Sequence, residues 1–277
     1  MKPALRRWDL RRWPRLQRGV SVAGLVLVAL LHTGCAVSPD GAREVRTESD
    51  QTSAERHARV RLELATAYFE RGQATTALDE VKLALAAKPD LAEAFNLRGL
   101  IYASMGETAL AEQSFQRALQ LAPRDGSALH NHGWFLCQQR LFDEAQRRFD
   151  AALAAPAYAD SARTLMARGV CQARAGRWAE AEADLSRAFE LDPASPAVAF
   201  AFAEILYQRG EYERARFYVR RINSQPAQSN AQTLWLAARI ERRLGDMGGV
   251  EALGRQLRER FPDAPETARL QRAQFDD

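Results

Sequence analysis

Small and large apolar side chains recur along this chain at helical spacing, and the pattern restarts about every 34 residues. The stripes read Ala77-Val81-Ala84, Ala111-Phe115-Ala118, Ala145-Phe149-Ala152, Ala181-Leu185-Ala188 and Ala215-Val219-Ile222. Steps of four and then three keep each triplet on one side of a helix. Ahead of each stripe runs a second helical stretch with a small residue at one fixed place: Ala65, Gly99, Gly133, Gly169, Ala203 and Ala238. Small residues belong where helices approach closely, so the pattern predicts helices packed in pairs. The punctuation agrees. Glycines separate the two stretches at Gly72, Gly106, Gly176, Gly210 and Gly245, spaced 34, 70, 34 and 35. Prolines follow the second stretch at Pro89, Pro123, Pro193, Pro226 and Pro262, spaced 34, 70, 33 and 36. Proline supplies no N–H and pushes its predecessor out of the helical region, so it marks a helix end. Each gap of 70 is a double step, with Arg140 standing where a glycine belongs.

A period near 34 is the length of one tetratricopeptide (TPR) unit, a helix-turn-helix that stacks into a solenoid. The expected fold is all-α, a right-handed TPR superhelix. Its six units are expected at 58–91, 92–125, 126–161, 162–195, 196–229 and 231–264. The third has extra residues around Ala155–Tyr158, read as a longer connection. The last is worn: Met247-Gly248-Gly249 opens its second helix poorly, and Gly254 sits where a packing residue belongs. The tail from Pro265 to Asp277 is expected to add a short capping helix.

The front of the chain is different in kind. Seven basic residues and one acid in residues 1–34 flank an apolar run, Val20 to Leu31. That run is shorter than the roughly 20 residues that span a bilayer, and it suits the core of a signal peptide. It closes on His32-Thr33-Gly34-Cys35, which resembles a bacterial lipobox apart from His32 in place of the usual Leu. Cys35 is then the acylated N-terminus, with outer-membrane lipid as its partner. The other readings are an ordinary signal peptide, or an uncleaved anchor, with an incidental cysteine. Ala36 follows Cys35 where an Asp would favour the inner membrane, so the expected place is the periplasmic face of the outer membrane. Residues 35–57 are polar and mixed in charge and read as a flexible tether, reaching roughly 25 Å.

Losing residues 1–34 changes the charge balance. The whole chain has 39 basic and 35 acidic residues; without the leader, 32 and 34 remain, a net charge of −2. Nucleic acid therefore loses its compositional support as a partner. No Gly-rich phosphate loop, nucleophile elbow or HExxH motif occurs, and His130 and His132 point in different directions on one helix. His130 reads as groove-lining and His132 as packed between helices. No cofactor or catalytic residue is expected, and the chain reads as a non-enzyme. Cys137 and Cys171 fall on the first helices of adjacent units, where an oxidising periplasm suggests a disulfide. The alternative is two buried thiols, and geometry separates them, since Cα atoms beyond about 7 Å cannot be bridged.

Binding remains as the function. In a TPR array the inner groove is lined by the second, fifth, ninth and twelfth positions of each unit. Its apolar members here are Leu62, Phe69, Leu100, Trp134, Met166, Val170, Phe200, Tyr207 and Trp235. Such a row suits a peptide groove, although a helical stripe is as much a feature of a core.

Three segments carry a resemblance. His130-Asn131-His132-Gly133-Trp134-Phe135-Leu136-Cys137 is similar to the N-x-G-W-F-L-C segment of the type IV pilus biogenesis/stability lipoproteins, the PilF/PilW pilotin family. Gly169-Val170-Cys171-Gln172 and Leu206 to Tyr212 follow. The likeness covers lipobox, tether and six repeats. It implies a lipoprotein that brings the type IV pilus secretin subunit to the outer membrane or supports its assembly into a ring. The family's cysteine pair matches Cys137 and Cys171. The alternative is a general periplasmic TPR adaptor for peptidoglycan synthesis or outer-membrane protein delivery.

Overall fold

The computed structural model describes residues 52–275. The proposed leader, Cys35 and nearly all of the tether ahead of Thr52 lie outside the described residues. Among the described residues twelve helices form six antiparallel pairs, and a thirteenth closes the C-terminal end. The pairs are α1 (Ser53–Glu70) with α2 (Ala74–Ala87), α3 (Ala92–Ser104) with α4 (Thr108–Leu121), and α5 (Gly126–Gln138) with α6 (Phe142–Leu153). They continue as α7 (Ser161–Arg174) with α8 (Trp178–Leu191), α9 (Pro196–Gln208) with α10 (Tyr212–Asn223), and α11 (Ala231–Leu244) with α12 (Met247–Arg260). The last helix, α13, is Pro265–Gln271. The first helices touch in succession from α1 to α11, which makes the stack a solenoid.

Each pair closes through the small position. A Cβ added at Gly99 would stand 2.7 Å from the Phe115 ring, and one at Gly133 would stand 3.0 Å from Phe149. At Gly169 the neighbour is Leu185, also at 3.0 Å. Where the second helix offers only Val81 or Val219, the first helix carries Ala65 or Ala203 in the same cluster. Volume is thus conserved across each contact, as close packing demands.

The turns explain the glycines. Gly72, Gly106, Gly176, Gly210 and Gly245 all have φ between 74° and 80°, the left-handed region that glycine enters without a Cβ clash. Arg140 adopts the same conformation at φ 63°. Its turn closes identically, Arg140 N–H to Cys137 O at 3.0 Å and Leu141 N–H to Leu136 O at 3.0 Å.

Three details differ from the sequence reading. Helix α1 starts at Ser53, not at 58, because Thr52 and Glu55 form a capping box: Thr52 N–H donates to Glu55 at 2.9 Å and Glu55 N–H to Thr52 at 3.1 Å. The start of α12 is sound, since Asp246 accepts from the Gly249 N–H at 2.9 Å. Gly254 is not a defect either. A Cβ there would meet Leu270 of α13 at 3.0 Å, so the capping helix fills the space that the missing side chain leaves.

Relieving the left-handed arginine should stabilise the fold. Arg140→Gly is expected to raise the unfolding free energy by about 0.5–1 kcal/mol, the strain of a left-handed residue less the extra freedom of glycine when unfolded. Denaturant unfolding measures it; a variant less stable than the parent would contradict this account of the turn.

Candidate functional site

The first helices present the predicted groove residues in three groups. Leu62 and Phe69 pack half-buried on the cluster of Ala65, Val81, Leu97 and Ile101. Leu100 and Trp134 share the cluster built on Phe115 and Phe149. Met166, Val170, Phe200 and Tyr207 lie against the cluster of Phe202, Leu206 and Val219. Every one of these eight side chains keeps part of its surface open. Trp235 does not: it is 5% exposed and stacks on Phe275 of the returning tail, ring centroids 5.0 Å apart. It belongs to the C-terminal core rather than to the groove.

One cavity opens in the middle of the row. It measures about 170 Å³ and brings Trp134 together with His130, Arg163, Met166 and Val170 across α5 and α7. Cations sit over the row's aromatics: Arg174 lies 5.0 Å from the centre of Trp134, and Arg239 lies 4.6 Å from that of Tyr207. The groove is therefore amphipathic, with apolar floors and basic walls.

Both histidines of α5 are buried. His130 is 5% exposed, its Nδ1 lies 2.9 Å from Thr164 Oγ1, and Tyr158 OH reaches the same hydroxyl at 2.8 Å. Burial, with Arg163 nearby, lowers its pKa from 6.5 to about 4, so the ring is neutral near pH 7. His132 stacks on Phe115 at 5.4 Å and donates from Nε2 to Glu112 at 2.8 Å, while burial lowers its pKa against the pull of that carboxylate. Among the described residues no group of three His, Cys, Asp or Glu side chains is placed to hold a metal ion. No described helix is long and apolar enough to cross a membrane.

Cys137 on α5 and Cys171 on α7 are bonded as a disulfide, with Cα atoms 5.8 Å apart and both residues buried. The bridge ties the first helices of two units directly beside the Trp134 cavity.

A feature that the groove assignment missed lies on another face of α1. Val60 is 53% exposed and Leu64 is 40% exposed. Counted from the small residue, the equivalents of Val60 are Ala94, Ala128, Thr164, Val198 and Thr233, none more than 4% exposed. Of the equivalents of Leu64, His132, Phe202 and Ala237 are buried, while Arg98 and Arg168 are half-buried. Later units bury this face against the preceding second helix; the first has no preceding unit among the described residues. Aligning the small positions in the sequence would have exposed the pattern.

Tetratricopeptide-repeat profiles match residues 92–125, 132–196 and 172–240. The chain is a tetratricopeptide-repeat protein. It is similar to the type IV pilus assembly protein PilF of Pseudomonas aeruginosa, 28% identical over 252 residues, covering 91% of this chain and 98% of that protein. In structure it is similar to PilW, described as a widely conserved type IV pilus biogenesis factor, with a TM-score of 0.71 and 27% identity over 77% of this chain and 98% of PilW. The P. aeruginosa PilF structure gives a TM-score of 0.67 at 25% identity, over 80% of this chain and all of that one.

Two outcomes follow for the repeat protein's site. The bridge closes a loop that the chain-entropy model values at about 4 kcal/mol, so dithiothreitol should lower the melting temperature, and thiols should become titratable in the unfolded protein only after reduction. Free thiols in the unreduced, unfolded chain would contradict this. Acid should also weaken the fold. Because His130 binds its proton less readily folded than unfolded, stability is complete above about pH 6.5. It falls by roughly 1 kcal/mol per pH unit on the way down to about 4. His130→Gln should flatten that slope; an unchanged slope would assign the acid sensitivity elsewhere.

Proposed function

We propose that this protein is a non-enzymatic scaffold of type IV pilus biogenesis, a lipid-anchored pilotin that supports localisation and multimerisation of the secretin at the outer membrane. The observation that carries the reading is the length of the likeness to PilF. Its 252 aligned residues exceed the 226 from Thr52 to the C-terminus, so the similarity extends beyond the repeats into the N-terminal segment. In this reading Cys35 carries the lipid, the segment after it is the tether, and the repeats hold the secretin subunit.

The repeats supply a place for that partner. The end face of α1 exposes Val60 and Leu64, which no described residue covers. A secretin segment seated there takes the place that a preceding second helix holds in later units, in the manner of an amphipathic helix laid on an apolar groove. Leu62, Phe69 and Leu100 continue the contact round the edge into the groove, where Trp134, Met166, Phe200 and Tyr207 extend it.

The two kinds of position separate by mutation. Val60→Ser and Leu64→Ser, at exposed sites, should leave the melting temperature nearly unchanged while SDS-resistant secretin multimers and surface pili are lost. Leu62→Ser and Phe69→Ser remove packed side chains and should cost roughly 1–3 kcal/mol of stability. Secretin that still co-purifies and multimerises with the Val60→Ser, Leu64→Ser double variant would reject this face.

Anchoring has its own test. Each buried methylene contributes about 0.8 kcal/mol, and two or more acyl chains hold a protein stably in the bilayer. Cys35→Ser should therefore release the protein from the outer-membrane fraction or leave it unprocessed, and unchanged mass and fractionation would contradict acylation.

A further inference from the structure

Two guanidinium groups meet an aromatic ring on the second repeat unit, away from the groove. Arg98 lies 4.6 Å and Arg117 lies 5.8 Å from the centre of the Phe95 ring. With Gln113, Gln116 and Gln120 they line a cleft of about 350 Å³ between α3 and α4. Arg98 precedes Leu100 by two residues, so at about 100° per residue it points to the far side of the helix from the groove row.

Among the described residues neither arginine meets a carboxylate. Arg98 Nε donates to Ser114 Oγ at 3.1 Å, and Arg117 donates to Gln120 Oε1 at 3.2 Å. The repeat register identifies what is missing. Arg98 stands one residue before the small position Gly99, as Arg168 stands before Gly169. In the fourth unit Arg168 is clamped by both oxygens of Asp184, each at 2.6 Å, and by Asp150 of the preceding helix. Counted from the small residues, the equivalent of Asp184 is Ser114 in the second unit, and that of Asp150 is Lys82 on the preceding helix α2. The arginine has kept its place while both of its acids have gone. Lys82 pairs instead with its own neighbour, Asp79, at 3.0 Å.

We propose that this cleft binds the carboxylate of an acidic protein segment, which pairs with the guanidinium groups of Arg98 and Arg117 that line it. A planar guanidinium accepts a carboxylate through two parallel hydrogen bonds, a geometry that a partner can recognise. Phe95 offers its ring to the methylenes of the incoming side chain, and Gln113, Gln116 and Gln120 edge the cleft, Gln116 bonded to Glu112 at 2.7 Å and Gln120 to Arg117. A protein fits better than a membrane surface. Asp79, Glu93 and Glu112 interleave with the basic residues of these helices, so the face lacks the unbroken positive field that anionic lipid requires. This contact is independent of the α1 end face, and its failure would leave that reading untouched.

The test uses the full chain in detergent, titrated against a fluorescein-labelled hexaglutamate peptide and read by anisotropy. Saturable, salt-sensitive binding is expected, weakened by about tenfold or more in Arg98→Gln and in Arg117→Gln. Ser114→Asp supplies the carboxylate internally. It should abolish peptide binding without lowering the melting temperature, which keeps the test informative if either arginine variant folds poorly. Vesicles of phosphatidylglycerol and inorganic phosphate form the comparison arms. The proposal is overturned if the peptide binds the parent and Ser114→Asp alike or shows no saturation. It is equally overturned if only vesicles or phosphate bind in an Arg98-dependent way.

Discussion

Every helix pair is held at its closest point by a residue with little or no side chain set beneath a large one. Gly99 lies under Phe115, Gly133 under Phe149 and Gly169 under Leu185, while Ala65 and Ala203 share their clusters with Val81 and Val219. The rest of the architecture depends on this spacing. A methyl group at Gly99 would intrude on a ring that is fully buried, and an overfilled core of this kind typically costs about 1–3 kcal/mol. Because the first helices come so close to their partners, their other side is free to touch the next unit, and the stack propagates. Stability in such a fold is nearly a sum over units and the interfaces between neighbours, so what happens at the two ends matters.

The ends are finished in opposite ways. At the C-terminal end, Leu270 fills the space beside Gly254, Phe275 covers Trp235, and Arg239 donates to the Phe275 carbonyl at 3.1 Å. The sixth unit therefore has its neighbour, supplied by a seven-residue helix and a short tail. At the other end Val60 occupies a position that every later unit buries and Leu64 one that three of them bury, and no described residue covers them. Among the described residues the two ends therefore differ, one covered and one open. Between them the Cys137–Cys171 bridge and the Arg168–Asp184 pair fix the middle units.

Most of the helical framework was legible because it is periodic. The small positions, the stripes and the turn glycines each repeat, and even Arg140 announced itself by the gap it left. What the period could not carry was contact between distant parts of the chain. Trp235 looks like a groove residue from its register, and only the return of Phe275 removes it from the groove. Gly254 looks like decay until Leu270 is placed against it. The start of α1 is a different kind of miss, since Thr52 and Glu55 carry a local capping signal that overrides the repeat boundary. The apolar end face is visible in the sequence only when a position is compared across units, because exposure there reflects the absence of a neighbour rather than the residue itself.

The central claim is that a secretin segment occupies the place of the preceding helix on the first unit. Hydrogen exchange of the protein alone and mixed with secretin subunit addresses it directly, because a docked helix must slow the opening of the helix it covers. The account predicts added protection concentrated in residues 53–70, with the C-terminal helices unchanged. Protection centred on α9 to α12, or none in α1, would contradict it.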